Sequence, residues 1–175
     1  MPIKSLIRTI PHYPKQGVMF RDITTLLREP VGFRVTINEF VQRYREVKID
    51  RIAAIESRGF IIGAALAFAL GVGFVPVRKK GKLPAATVGH DYELEYGFDR
   101  VEMHVDAIAR GERVLLVDDL IATGGTAEAT IKLIEKVGGV IVECCAVIDL
   151  PDLGGRKRLN KLGHKVFTLC EFAGD

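Results

Sequence analysis

Tryptophan is absent, and cysteine, methionine and tyrosine are scarce, at three, three and four residues in a chain of 175. Three cysteines, two of them adjacent at Cys144 and Cys145, exclude both a disulfide framework and a CxxC metal site. The histidines, His12, His90, His104 and His164, are scattered, which argues against a zinc centre. An excess of either charge is also lacking. The 25 Lys and Arg against 22 Asp and Glu leave a formal +3, too weak a surplus to argue for nucleic acid. The N-terminus has no apolar stretch of the signal-peptide kind, so a reducing cytoplasm is the expected compartment. Several familiar signatures are missing as well: there is no GxxxxGK[ST], no GxSxG and no HExxH. Gly71-Val72-Gly73 does not extend to GxGxxG, because Pro76 stands at the sixth position.

What is present describes a globular chain. Hydrophobic residues make up 48 % and charged residues 27 %, which excludes intrinsic disorder, and the length is that of one domain. Gly59 to Val77 carries no charge over 19 residues, enough for a membrane span. It is interrupted by Gly71-Val72-Gly73 and Pro76, so it reads instead as a buried helix over Phe60–Leu70 followed by a strand over Phe74–Val77. No membrane association is expected.

Strands and helices alternate along the chain. A helix is expected over Val31–Tyr44, where Ile37, Phe40, Val41 and Tyr44 recur at helical spacing. A strand follows at Arg51–Ile55, another at Val114–Val117, a helix at Thr126–Val137, and strands at Val140–Ile148 and Val166–Leu169. Strands apolar on both faces and alternating with helices imply an α/β fold with a central, mostly parallel sheet flanked by helices. Residues 82–108 break this rhythm. Tyr92–Tyr96 and Val101–Val105 alternate with period two around Gly97–Arg100, which predicts an antiparallel hairpin, preceded by a polar, basic stretch. A segment of this kind is a usual site for a catalytic flap.

The strongest chemical signal is Val114-Leu115-Leu116-Val117-Asp118-Asp119-Leu120-Ile121-Ala122-Thr123-Gly124-Gly125-Thr126. A hydrophobic strand ends in two acids, and a small-residue loop then enters a helix. Loop N–H groups and a helix N-terminus cradle a phosphate dianion, with Thr123 and Thr126 adding hydroxyls and the glycines permitting close approach. Two carboxylates would repel that phosphate, so they face sugar hydroxyls or a divalent cation reached through water. The plain alternative is an ordinary strand–turn–helix with Asp118 or Thr123 as N-cap.

Asp118 to Thr126 resembles the phosphoribosyl-pyrophosphate (PRPP) signature of the type I phosphoribosyltransferase family. Three further segments resemble its adenine-specific branch: Gly17-Val18-Met19-Phe20-Arg21-Asp22-Ile23, Glu56-Ser57-Arg58-Gly59-Phe60, and Arg78-Lys79-Lys80-Gly81-Lys82-Leu83-Pro84 with Leu94-Glu95-Tyr96-Gly97. The likeness covers about residues 10–172. Ile121 replaces the commoner Leu, and Ala85–His90 matches no family pattern.

The resemblance implies that adenine and PRPP give AMP and pyrophosphate, with Mg²⁺ held by PRPP and water rather than by direct protein ligands. Ala122, Thr123, Gly124, Gly125 and Thr126 would hold the 5′-phosphate, and Asp118 and Asp119 the ribose hydroxyls. Ser57, Arg58, Arg78, Lys79 and Lys82 would meet the pyrophosphate, with a non-proline cis peptide at Glu56–Ser57. Val18, Met19, Phe20, Arg21 and Leu120 would form the adenine site, Phe20 and Leu120 sandwiching the base while the backbone of Met19 reads its edge. Glu95 would be the acid that exchanges a proton with purine N7. Residues 1–175 would form one domain, with about 10–30 a small N-terminal hood and 82–108 the flap. A homodimer is implied, because in the family the position of Arg78 can reach a neighbouring subunit's site. A purine-responsive nucleic-acid-binding regulator on the same fold is the rival reading, but the chain has neither residues left over for a winged helix nor the charge. A transferase for another base is the nearer rival, and Val18–Arg21 argues against it.

Overall fold

The structure, a computed structural model, describes residues 2–174. A seven-stranded sheet forms its centre. In chain order its strands are β3 (Arg51–Ile55), β4 (Gly73–Lys79), β5 (Thr87–Glu93), β6 (Phe98–His104), β7 (Arg113–Ile121), β8 (Val140–Asp149) and β9 (Val166–Glu171). Their spatial order is β5-β6-β4-β3-β7-β8-β9. The five strands from β4 to β9 are parallel, whereas β5 and β6 pair antiparallel with each other and β6 antiparallel with β4. A separate ribbon of β1 (Arg8–Pro11) and β2 (Met19–Asp22) forms the N-terminal hood.

The central parallel strands β3, β7 and β8 bury both faces, and successive residues serve different cores. Ala53, Ile55, Val114, Leu116, Cys144 and Ala146 pack with Ile131 and Ile134 of α4 (Gly125–Lys136). Ile52, Ala54, Leu115, Val117, Cys145 and Val147 pack instead against α2 (Pro30–Tyr44) and α3 (Arg58–Leu70). The adjacent cysteines therefore point to opposite sides of the sheet. Both are fully buried, and burial pushes both thiols upward from their ordinary range. The uncharged segment over Gly59–Val77 is α3 beyond its first residue, Arg58, and most of β4, and no helix among the described residues is long and apolar enough to cross a membrane.

Two boundaries differ from the sequence reading. The strand expected at Val114–Val117 runs on to Ile121, because pairing with β8 continues through Asp118↔Ala146, Leu120↔Ile148 and Ile121↔Asp149. The two acids thus sit on the strand itself. The hairpin also shifts: β5 begins at Thr87, and the chain turns at Glu95-Tyr96, closed by Leu94 N–H donating to Gly97 C=O at 2.9 Å. Gly97 takes φ 90°, which lets the chain reverse there, three residues before the expected turn would end. Alternation alone did not reveal this, since Tyr-Glu-Leu-Glu-Tyr keeps its period through the bend. Glu95 is therefore a tip residue and does not share a strand face with Glu93. Sequence reading also passed over α1 (Thr24–Arg28) and α5 (Gly155–Lys161), both too short to show a helical period.

Candidate functional site

In an open parallel sheet, ligands bind at the carboxyl ends of two neighbouring strands whose connections leave in opposite directions. Here those strands are β3, which leads away to β4 on one side, and its other neighbour β7. Beyond β3 comes Glu56-Ser57-Arg58, with a cis peptide between Glu56 and Ser57 as the resemblance implies. At the end of β7 come the acid pair and the small-residue loop.

That loop encloses a cavity of about 100 Å³ lined by Asp118 and by residues 120–127. The first bond of α4 runs from Glu128 N–H to Gly124 C=O at 2.9 Å, so the N–H groups of Gly125, Thr126 and Ala127 have no helical acceptor. They and the helix dipole make an anion cradle. A second glycine pair supports it from behind. Gly155 N–H donates to Ala122 C=O at 3.0 Å, and a Cβ on Gly155 would stand 2.8 Å from Gly124 N and closer still to Ala122 O. Sequence reading missed Gly155, although Gly154-Gly155 directly before a helix was the available signal. A larger cavity of about 350 Å³ lies between the hairpin and α4, lined by Asp91, Glu93 and Glu128 together with Lys132 and Arg158, which already pair with Glu128. The smaller cavity is the better anion cradle because it is lined by the loop and first turn whose N–H groups lack helical acceptors.

The acids divide their work between the two faces of β7. Asp118 lines the phosphate cavity and accepts Asp119 N–H at 2.8 Å. Burial lifts its carboxyl well above the usual range, and the adjacent Asp119 charge adds to the effect while Arg58 opposes it. Asp119, 6 % exposed, accepts a hydrogen bond from Arg58 Nε. The Arg58 guanidinium in turn lies 5.4 Å from the ring centroid of Phe20, which meets Tyr13 edge-on at 5.2 Å. Phe20, Arg58 and Asp119 thus form one chain of contacts from the hood to the acid pair. Leu120 joins it only as the neighbour of Asp119 on β7. Val18 spends its backbone in the hood loop, accepting Tyr13 N–H and donating to Lys15 C=O, each at 3.2 Å.

The side chain of Arg21 does not belong to this group. Phe20 and Arg21 alternate on β2, so Arg21 faces away, buried, donating to Thr9 Oγ1 at 2.6 Å and lying 4.6 Å over Phe172. It ties the hood to the C-terminal segment.

The basic cluster is gathered around a carboxylate to which sequence reading assigned no role. Glu56 accepts Lys79 N–H, Lys82 Nζ at 2.9 Å and Arg78 Nη2 at 3.4 Å. Burial alone would raise its pKa, but the Lys79 N–H and the Lys82 and Arg78 charges hold it low. Arg78 Nε is buried without a hydrogen-bond partner among the described residues. The Lys79 ammonium instead contacts Asp99 and the Tyr92 hydroxyl. Ser57 is exposed at the start of α3. Glu95 is exposed at the hairpin tip, and its carboxylate has no hydrogen-bond or ion-pair partner among the described residues.

Residues 23–171 match the phosphoribosyl transferase domain family. Over all 175 residues the chain is 70 % identical to an adenine phosphoribosyltransferase of Nitrosospira multiformis, each covering the whole of the other. Its structure is similar to that of the Saccharomyces cerevisiae adenine phosphoribosyltransferase complexed with an imino-altritol bisphosphate and adenine (TM-score 0.90, 44 % identity, 96 % of each chain). It is also similar to the Trypanosoma brucei adenine phosphoribosyl transferase in complex with AMP, pyrophosphate and ribose-5-phosphate. There the TM-score is 0.89 at 26 % identity, over 97 % of this chain and 78 % of that one.

Proposed function

This chain belongs to the adenine-specific branch of the phosphoribosyltransferase family, and we propose that the residues just described divide among them the transfer of a 5-phosphoribosyl group from PRPP to adenine. The products are AMP and pyrophosphate. The observation that carries the assignment of roles is the cavity at the N-terminus of α4, beside two acids at the switch point of the sheet. Ala122 to Thr126 hold the 5′-phosphate, and Asp118 and Asp119 take the ribose 2′- and 3′-hydroxyls.

Ser57 and Arg58 receive the pyrophosphate, with Arg78, Lys79 and Lys82 turning from Glu56 and Asp99 toward the phosphate oxygens. As the anomeric bond breaks, the sugar gains oxocarbenium character and the purine requires a proton partner at N7. Glu95, at the tip of a two-stranded hairpin, supplies it with water excluded. The Phe20 ring and Leu120 flank the base, and the Met19 backbone reads its edge.

The donor set fits a metal brought by the substrate. Among the described residues no three His, Cys, Asp or Glu side chains gather as a cation site, and Asp119 is already engaged by Arg58. When bound, Mg²⁺ would neutralise charge on the leaving diphosphate, and Asp118 and Asp119 are the carboxylates that would face it through water. Helix α3, uncharged after Arg58, supports a homodimer: Ile61 and Phe68 are 45 % and 91 % exposed on one face of it. Three unpaired thiols accord with a reducing cytoplasm.

Base choice tests this reading. Adenine offers an amino donor at C6 and an acceptor at N1, and hypoxanthine reverses both. A site with buried backbone groups left unpaired rejects the wrong base by about 10⁴-fold or more in kcat/KM. Pyrophosphate release from PRPP and Mg²⁺ with a panel of bases is therefore expected to be confined to adenine, with 2,6-diaminopurine a weak substrate. Comparable kcat/KM for hypoxanthine would overturn the edge-reading model and leave the phosphate cradle standing.

A further inference from the structure

Glu95 reaches no partner of its own, so its position is inherited from the hairpin that carries it. The polar anchor nearest to it along β5 is Tyr92. The Tyr92 ring packs partly buried against the core on the α4 side of the sheet. Its hydroxyl stands 3.3 Å from Thr126 Oγ1 in the first turn of α4 and 3.3 Å from Asp99 Oδ2 on β6, and it also contacts Lys79 Nζ on β4. One hydroxyl thus meets a residue of the 5′-phosphate cradle, a residue of the diphosphate cluster and the opposite strand of the hairpin.

We propose that Tyr92 is a positioning residue that docks the hairpin on the 5′-phosphate loop and thereby sets where Glu95 stands when PRPP is bound. The proposal rests on the reading of Thr126 as a phosphate contact and Glu95 as the acid. The route from Tyr92 to Glu95 is short and stiff. Tyr92 pairs with Asp99 and Glu93 with Phe98, and the 2.9 Å bond from Leu94 to Gly97 closes the turn. Glu95 is three residues beyond Tyr92, at most about 10 Å along the chain. Of the residues between, Glu93 is still paired in β5 and Leu94 closes the turn, so a shift at Tyr92 is carried to the tip. A 5′-phosphate strengthens the anchor. The Tyr92 hydroxyl has a single proton to donate, and its oxygen stands 3.3 Å from both Asp99 Oδ2 and Thr126 Oγ1 as acceptors. When the phosphate accepts a hydrogen bond from the Thr126 hydroxyl, Thr126 Oγ1 is left as acceptor and draws the Tyr92 proton from Asp99 to the phosphate loop. Substrate at one end of the site thereby tightens the element that brings the acid to the other.

Tyr92→Phe keeps the ring and its packing and removes only the hydroxyl. In single turnovers at saturating adenine and PRPP, its rate is expected to fall about tenfold, the net effect of losing one or two hydrogen bonds, with the melting temperature lowered by only a few degrees. A structural defect would add to any other, whereas a positioning effect acts through its target. Tyr92→Phe is therefore expected to cost nothing further in a Glu95→Gln background. Full additivity of the two substitutions, or a normal rate for Tyr92→Phe beside a slow Glu95→Gln, overturns this proposal alone. A normal rate for Glu95→Gln overturns the assignment of the acid and this proposal with it.

Discussion

Asp118 and Asp119 are consecutive and chemically identical, yet β7 turns them to different partners. Asp118 lines the cavity of the small-residue loop, where burial and the neighbouring Asp119 charge push its carboxyl upward, and Asp119 holds Arg58. Replacing both by Asn is expected to lower kcat by at least about tenfold and to weaken PRPP binding, without loss of the folded state by circular dichroism. Near wild-type turnover with Mg²⁺ would remove the sugar-binding role. Asp22 has a structural part. Burial alone would raise its pKa, but hydrogen bonds from Thr24 and Arg8 bring it down to about 2. A carboxyl lowered on folding stabilises above its unfolded value near 4, and that contribution is lost as pH falls toward 2. Asp22→Asn is therefore expected to cost on the order of 1–2 kcal/mol at pH 7. Thermal melts of the two proteins should converge between about pH 4 and pH 2.

At the scale of elements, the site depends on close approach between pieces of backbone. The first residue of α5 presses on the phosphate loop where a side chain would collide with Ala122 and Gly124. Gly155→Ala is expected to displace that loop, raising the PRPP KM by about tenfold or more and costing about 1–3 kcal/mol of stability. An unchanged KM in steady-state assays would show that the loop tolerates the displacement. The hairpin gives the converse lesson. Its existence was legible in the alternation of residues 92–105, but its turn was not, because the same period runs through Glu95 and Tyr96. Closure at Leu94–Gly97 is set by pairing of β5 with β6 all the way back to Thr87↔His104.

At the scale of the whole molecule, one face of α3 is left uncovered by the protein's own packing. Helix α3 buries Ile62, Leu66 and Ala67 against the sheet and leaves Ile61 and Phe68 outward. Its uncharged sequence had pointed to a buried helix, and the exposed side is what a second copy would cover. Phe68→Asp places a charge at the centre of that face and is expected to convert a dimer into a monomer in sedimentation velocity. A dimer that persists would locate the interface elsewhere. If Arg78 reaches across that interface, the monomer should also lose activity.

Much of the site was written in contiguous residues. A strand, a small-residue loop and a helix start need only local backbone to form, so the strand, loop and free helix N-terminus of residues 114–126 were legible from contiguous sequence, and the phosphate reading of them rests on that local pattern. The alternation of apolar strands and helices likewise determined a parallel sheet, since a strand apolar on both faces has to be covered on both. The remaining contacts join residues far apart in the chain: Arg58 to Asp119 across 61 positions, Tyr92 to Thr126 across 34, and Arg78 to Glu56 across 22. No local pattern announces such pairs, because each exists only where the strand order brings two loops to one end of the sheet. For the same reason Arg21, beside Phe20 in sequence, faces the C-terminal segment instead of the site. Sequence determined which groups were available, and the topology decided which of them meet.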